Sequence, residues 1–341
     1  MSTCLDAVKV QTFQDFEMIV VDNGSVDGTS DFIKKNYPWV RLIKNEANLG
    51  FAGGNNSAFP SCKGKYIALL NNDTQADRRW LEELVKVLEK NPDIFGVGSV
   101  PRHKYGREEW WFPGYGTSGF FGQPSIDTRI PKDFKGLVDV WGPGGGACLL
   151  RRPIDMLFDP DYFAYSEDFW NSWRFRLQGY KAVMNPKSTV LHEGEITGKR
   201  LKWWKIFYQE RNRLLNALIA FEPWTLVRLA PLLAINIVAT LIYDYPNAYA
   251  RIIAHLWLLA HIPTILKKRS YLQSYRRVPD SKVIKYMSCV LYEESLITNR
   301  FLNRFVQAIN RLQKRYCSLV HLFTAEFYQI KNGRLTDKLT K

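Results

Sequence analysis

Three groups of acidic and amide side chains in this 341-residue chain stand where chemistry could be done. The first lies in VVDNGSVDGTSDFI, residues 20–33. Met18, Ile19, Val20 and Val21 suit a buried parallel strand, although so short an apolar run also suits a buried helix. Asp22, Asn23, Gly24 and Ser25 supply turn chemistry, and Asp27, Thr29 and Ser30 offer caps for a following helix. Ligands of open α/β sheets bind outside the carboxyl ends of strands, so Asp22 is expected at a ligand. The second group, Asn71-Asn72-Asp73, closes the apolar run KYIALLNNDT, residues 65–74. The third is Glu167-Asp168, in the first turn of a helix that Ser166 should cap and Gly179 should end as its C′ residue. On residue type alone, that pair of acids either neutralises the helix dipole or does chemistry, and the first is the commoner role. His192 follows three apolar-to-neutral residues at the end of a short strand, where a lone histidine is more often packed than ligating.

Other segments must position these groups. Residues 1–15 read as a helix with Leu5, Val8 and Phe13 inward, followed by a strand over 16–21. NEANLGFAGGNNSAF, residues 45–59, is a Gly- and Asn-rich loop running into a short helix. A helix capped by Thr74 or Asp77 runs to Lys90, with Trp80, Leu81, Leu84, Val85 and Leu88 as its core stripe. Asn91-Pro92 ends it, and a strand follows over 94–100. Residues 101–137 show little periodicity and many aromatics (Trp110, Trp111, Phe112, Tyr115, Phe120, Phe121). They read as a long loop, either an acceptor-binding flap or a packed surface one. GPGGGACLLRRP, residues 142–153, is not a dinucleotide fingerprint, because no helix opens at its third glycine. Its glycines either make a tight bend or let another backbone approach closely.

The order of these motifs resembles the nucleotide-sugar half of family 2 glycosyltransferases. Those read VDNGSxDGT, then NxGFAGGNN, then a strand closed by D-x-D or N-x-D. The resemblance covers roughly residues 1–215, where Glu210-Arg211-Asn212-Arg213 is similar to the family's post-catalytic helix. It is best around rhamnosyltransferase-like members that build surface polysaccharide. It implies an α/β fold of GT-A type, a nucleotide-sugar-binding sheet flanked by helices, here followed by a basic helical C-terminal region. It also implies a nucleotide-diphosphate sugar donor near Asp22, Asn23, Gly50, Asn55, Asn71 and Asp73. Asp73 would hold a divalent metal, joined by His192 as in some relatives. A carboxylate with an imidazole suits Mn2+, whereas Mg2+ would rest mostly on Asp73 and the diphosphate. Asp168, the second acid of the family's E-D pair, becomes the catalytic base, with Gly145, Gly146 and Glu167 near the acceptor. The product would be inverted, with no covalent glycosyl-enzyme. Trp170 stands where the family has a further acid and is expected to alter acceptor orientation. The family's first strand, ending in Thr-Tyr-Asn, has no counterpart before residue 1, so a truncated or degenerate copy with altered nucleotide affinity is expected.

Charge divides the chain. Residues 199–341 hold 24 Lys and Arg against 8 Asp and Glu, a net of +16, while residues 1–198 carry −2. No zinc-finger spacing or RNA-binding aromatic signature appears, so the acidic partner is expected to be an anionic membrane surface and not nucleic acid. Residues 224–243 carry only Arg228, close to the length that crosses a hydrocarbon core of ~30 Å, but Pro231 and Asn236 weaken a span. Residues 248–266 contain Arg251, His255 and His261 before Lys267-Lys268-Arg269. Such interrupted segments with basic flanks suit interfacial helices. The expected division is therefore a catalytic domain over 1–198 and a membrane-associating region over 199–341. Cys4, Cys62, Cys148, Cys289 and Cys317 have no metal or disulfide spacing and read as reduced cytosolic thiols. No signal peptide is expected, which places the protein at the cytoplasmic face of the membrane. The function implied is sugar transfer to a glycan or lipid-linked acceptor in surface polysaccharide synthesis. Its rivals are a degenerate, non-catalytic glycan-binding or scaffold protein and a nucleotidyl- or dinucleotide-dependent enzyme. The absence of a phosphate-cradling glycine loop opposes the last.

Overall fold

Apolar runs closed by turn residues become a mixed sheet with helices on both faces. The computed structural model describes residues 1–105, 108–111, 116–122, 124–126, 134–153, 155–192, 203–290 and 300–336. Helix α1, Ser2–Lys9, stops well short of residue 15. Gln11 takes over there: its amide donates to the Ala7 and Asp77 carbonyls at 3.1 and 2.7 Å, and its Oε1 accepts the Leu81 N–H at 3.0 Å. Phe13 still packs inward, but from the segment after the helix. Strand β1, Ile19–Asn23, begins later than the expected 16–21 and pairs in parallel with β2, Arg41–Asn45. Between them runs α2, Thr29–Asn36, whose first N–H is accepted by Asp27 at 3.1 Å.

Next come α3 (Gly50–Ala58), β3 (Tyr66–Leu70), β4 (Thr74–Ala76), α4 (Trp80–Lys90) and β5 (Ile94–Tyr105). Residues 101–137 do not form the featureless loop expected of them. They contain the end of β5 and strands β6 (Glu108–Trp111), β7 (Gly116–Gly119) and β8 (Pro124–Ile126). Glycine and proline hide the period-two signal, and β7 finds a partner about 170 residues away, beyond any local window. Phe120 and Phe121 are core residues, while Phe112 and Tyr115 lie outside the described residues. Then follow β9 (Val138–Val140), β10 (Ala147–Arg151), α5 (Glu167–Arg176) and β11 (Lys181–His192). The main sheet has the order β3-β10-β5-β11-β4, with β6 on β5 and β9 on β11. Only β5 and β11 run parallel; the other pairs are antiparallel.

The C-terminal part adds α6 (Trp203–Ala220), α7 (Pro223–Tyr243), α8 (Ala248–Ala260), α9 (Ile262–Ser274), α10 (Asp280–Ile284), β12 (Met287–Ser288), α11 (Arg300–Leu319), β13 (Gln329–Lys331) and β14 (Arg334–Thr336). The 198/199 boundary falls outside the described residues. One hydrophobic core runs across it, from Phe95 and Trp173 near the sheet to Leu215, Phe221 and Leu272. Phe95 stacks on Phe175 at 4.7 Å, and Trp173 meets Phe221 edge-on at 4.8 Å. Beneath α8, the fully buried Glu210 accepts hydrogen bonds from Arg213 and Arg251, each at 2.6 Å, and meets His255 at 2.9 Å. Burial works against its charge, but His255 and the two guanidinium groups hold its carboxyl at about 2. Helix α7 turns Leu229, Leu232 and Asn236 inward and leaves Trp224, Val227, Ile235, Val238 and Ile242 exposed. It is apolar and long enough to cross a membrane, and the segments 245–260 and 262–274 form a pair bent by 76°.

Candidate active site

Strand β3 delivers Asn71 to Asp73, and the antiparallel pairing of β11 with β4 puts His192 opposite Thr74. Residues 119 positions apart therefore meet. His192 Nε2 lies 3.1 Å from Asp73 Oδ2. Asp73 Oδ1 is buried and has no hydrogen-bond partner. An orphaned carboxylate oxygen beside an imidazole is a donor set that a divalent cation fits. Among the described residues no third His, Cys, Asp or Glu joins them, so phosphate or water oxygens must complete any coordination. Asn71 shapes the turn: its N–H donates to Gly146 at 2.8 Å, and its carbonyl accepts from the N–H and hydroxyl of Thr74 at 3.1 and 2.6 Å.

The glycine run joins this strand end to α5. A Cβ on Gly146 would come within 3.1 Å of the Asn71 amide, and one on Gly145 within 3.4 Å of Asp168 Cβ. Asp168 is half-buried and its Oδ1 accepts the Phe169 N–H at 2.9 Å. Burial raises its pKa, against the pull of that bond. Glu167 was expected near an acceptor, but it is buried, and its Oε2 has no partner. Burial and then the Asp168 charge push its carboxyl up to about 8. Adjacent carboxyls thus occupy different surroundings, with Asp168 against the glycine run and Glu167 inside.

Ser166 holds the N-cap position of α5, but in a left-handed conformation and without a side-chain capping bond. A capping hydroxyl requires extended backbone at the N-cap, which this loop denies it. Phe163, Tyr165 and Ser166 all have positive φ, at 56°, 70° and 63°. What holds them is α6. Asn212, wholly buried, donates to the carbonyls of Tyr162, Ala164 and Tyr165 at 2.9, 2.9 and 2.7 Å. Asn216 donates to the Ser166 carbonyl at 3.0 Å and accepts the Tyr162 hydroxyl at 2.7 Å. Arg211 donates to the Asp161 carbonyl at 2.6 Å. These side chains position the loop that leads into α5, a role that the resemblance at 210–213 did not assign them. Trp170, expected to reorient an acceptor, instead is buried and stacks on Tyr271 of α9 at 6.2 Å, with the Arg174 guanidinium 4.9 Å from its ring. Its large apolar surface serves packing.

At the end of β1, both oxygens of the buried Asp22 are engaged, by the Ser25 N–H at 2.9 Å and by the hydroxyl of Ser30 in α2. Burial opposes its charge, but those bonds hold the carboxyl below the usual range. Asn23 donates to Asn48 and to the Gly50 carbonyl at 3.1 and 2.9 Å, and accepts from Asn45 and the Leu49 N–H at 3.0 and 3.1 Å. Asp22 thus braces the turn between β1 and α2, and Asn23 ties the end of β1 to the loop that joins β2 to α3. Gly50 has φ 72°, and a Cβ there would strike the Phe163 carbonyl, which accepts the Ala52 N–H at 3.0 Å. The start of α3 is thereby locked to the loop that leads into α5. Asn55 donates to the Phe51 carbonyl at 2.8 Å and lines a cavity between β1 and β3, away from the Asp73–His192 pair.

A mixed sheet flanked by helices, with its polar side chains converging at strand ends, is an α/β fold of the GT-A type. Residues 1–156 match the family described as Glycosyl transferase family 2, and this chain belongs to that family. An uncharacterized glycosyltransferase of Haemophilus influenzae is 37% identical over 219 residues, 58% of this chain and 66% of that protein. Glycosyltransferase AglE of Haloferax volcanii is 29% identical over 120 residues, 34% of this chain and 37% of that protein. The chain spans less than two thirds of the length of either. In fold, it is similar to GalNAc-T7 crystallised with UDP, GalNAc and Mn2+, with a TM-score of 0.53, 16% identity and coverage of 64% of this chain and 45% of that one.

Proposed function

We propose that this chain transfers a sugar, with inversion, from a nucleotide-diphosphate donor to a hydroxyl of a glycan or lipid-linked acceptor. The observation that supports this reading is the adjacency, through Gly145 and Gly146, of Asp168 to the strand end that carries Asp73 and His192. A divalent cation on Asp73 and His192 would neutralise the diphosphate and ease its departure. Asn71 shapes that strand end. Asp168 accepts the proton of the acceptor hydroxyl as it attacks from the face opposite the diphosphate. Burial makes it a stronger base than a solvated aspartate, closer to the operating pH. The α5 N-terminus and the bonds from α6 fix its place. Work at a membrane surface is supported by the apolar outer sides of α7, α8 and α9 and by the net charge of +16 over residues 199–341.

Single-turnover transfer with the cognate donor tests the base. Asp168→Asn keeps shape and helix contacts but cannot take the proton, so transfer falls by about 10²–10⁴-fold with donor affinity little changed. Near-normal turnover in Asp168→Asn, with collapse in Glu167→Gln, would overturn the assignment.

A further inference from the structure

A charged cavity lies at the end of the sheet opposite the candidate active site. Strand β11 runs from Lys181 to His192, so its two ends are roughly 35 Å apart. Around Lys181 opens a cavity of about 360 Å³, lined also by Asp93, Asp139, Lys285, Tyr286 and Arg334. These residues come from five places in the chain: the turn before β5, β9, the start of β11, the segment after α10, and β14. Their charges do not balance. Lys181 Nζ lies 2.8 Å from Asp93 Oδ2, and an Arg334 guanidinium nitrogen lies 2.6 Å from Asp139 Oδ1, so each carboxylate already has its cation. Among the described residues Lys285 has no carboxylate partner; its Nζ lies 5.0 Å from the centroid of the Tyr286 ring. The Arg176 guanidinium lies 3.8 Å from the same centroid. Arg176 is buried, and it donates to the carbonyls of Val140, Trp141 and Tyr180 and to no carboxylate.

Arg176, Lys181, Lys285 and Arg334 therefore face Asp93 and Asp139 with two positive charges in excess. A lysine has three N–H donors and an arginine five, so Lys181 and Arg334 can keep their carboxylates and still donate to a ligand. We propose that this cavity binds a phosphate group, held by Lys181, Lys285 and Arg334, with the Arg176 charge behind Tyr286. A phosphate offers up to two negative charges and at least three oxygens to three cations at once. A carboxylate ligand has one charge and two oxygens, and leaves a cation over. Once bound, the phosphate joins β14 and the segment after α10 to the first residue of β11. The cavity shares no residue with the strand end that carries Asp73 and His192, and the inference does not depend on sugar transfer.

The probes are inorganic phosphate and glycerol phosphate, titrated calorimetrically into the full chain in the presence of EDTA, so that no divalent cation brings them to Asp73. Saturable binding is expected, retained in Asp73→Ala and weakened about tenfold or more in Lys285→Ala. Lys285→Glu, which reverses the unpaired charge, should abolish it. Hydrogen exchange at residues 138–140, 181–184 and 334–336 should slow on addition of phosphate in the parent and not in Lys285→Glu. Glycerol phosphate binding as tightly as inorganic phosphate assigns the site to a phosphate ester, and binding of inorganic phosphate alone assigns it to the free anion. The absence of saturable binding by either probe, its loss in Asp73→Ala, or undiminished binding in both Lys285 variants overturns the inference. Acetate bound as tightly as phosphate overturns it as well, since the cavity would then be an unselective positive patch.

Discussion

The removal of Asn212 tests how the catalytic loop is held. Its amide reaches three carbonyls of one loop, at 2.7–2.9 Å, with no exposure to water. That loop carries three non-glycine residues at positive φ, each held at a cost of order 1–3 kcal/mol that its surroundings must offset. Asn212→Ala deletes both N–H donors. Two of the three carbonyls can be fully bonded by one NH2 group, at about 1 kcal/mol net each, and each orphaned buried acceptor costs about 1–3 kcal/mol. The expected loss, after relaxation and water entry, is about 2–4 kcal/mol.

Urea denaturation measures the stability loss, and kinetics separate position from packing. The loop ends at Ser166, directly before Glu167 and Asp168, while Asp73 and His192 sit on strands that Asn212 does not touch. Turnover should therefore fall more than donor KM rises, since misplacing a catalytic group by about 1 Å costs about 10²-fold. An Asn212→Ala protein with unchanged denaturation midpoint and unchanged kcat would refute the reasoning. A loss confined to donor KM would refute the assignment of Asn212 to the Asp168 loop.

The other expectations can be checked separately. Asp73→Ala and His192→Ala should each abolish most of the Mn2+ enhancement of nucleoside diphosphate binding while far-UV circular dichroism stays unchanged; equal enhancement in variant and parent removes that residue from the site. Glu210→Gln should destabilise the fold by about 3–5 kcal/mol, because Arg213 and Arg251 lose a buried counter-charge. Since the folded pKa of Glu210 lies below the unfolded one, its contribution is fully present above about pH 4.5 and disappears as pH falls towards about 2; the denaturation midpoints of variant and parent should lie apart at pH 6 and draw together at pH 3. The chain should sediment with anionic vesicles, and Leu256→Glu with Leu259→Glu, both exposed on α8, should release it; undiminished binding would discard α8 as a docking face.

Residues whose roles depend on near neighbours in the chain were legible. Asp73 ends an apolar strand, and Gly179, at φ 93°, ends α5 as its position after the helix demands. The amphipathic stripe of α4 goes into the core as read. Roles set by distant partners were not. Asp22 and Asn23 stand where a strand-end acid and amide meet ligands; only the positions of Ser30, Asn45 and Gly50 show that both also brace the strand end. Asn212 looks like one polar residue in a helix until a loop about 50 positions earlier is placed beneath it. Trp170 looks like the loss of an acid because Tyr271, its stacking partner, lies 101 residues on. In each case the residue was singled out from the sequence and its partners were not, since partners follow from packing between elements. The same reasoning explains why β1 and β2, complete by local criteria, stand apart from the main sheet: strand signals report the tendency to pair, and which strands lie side by side follows from packing.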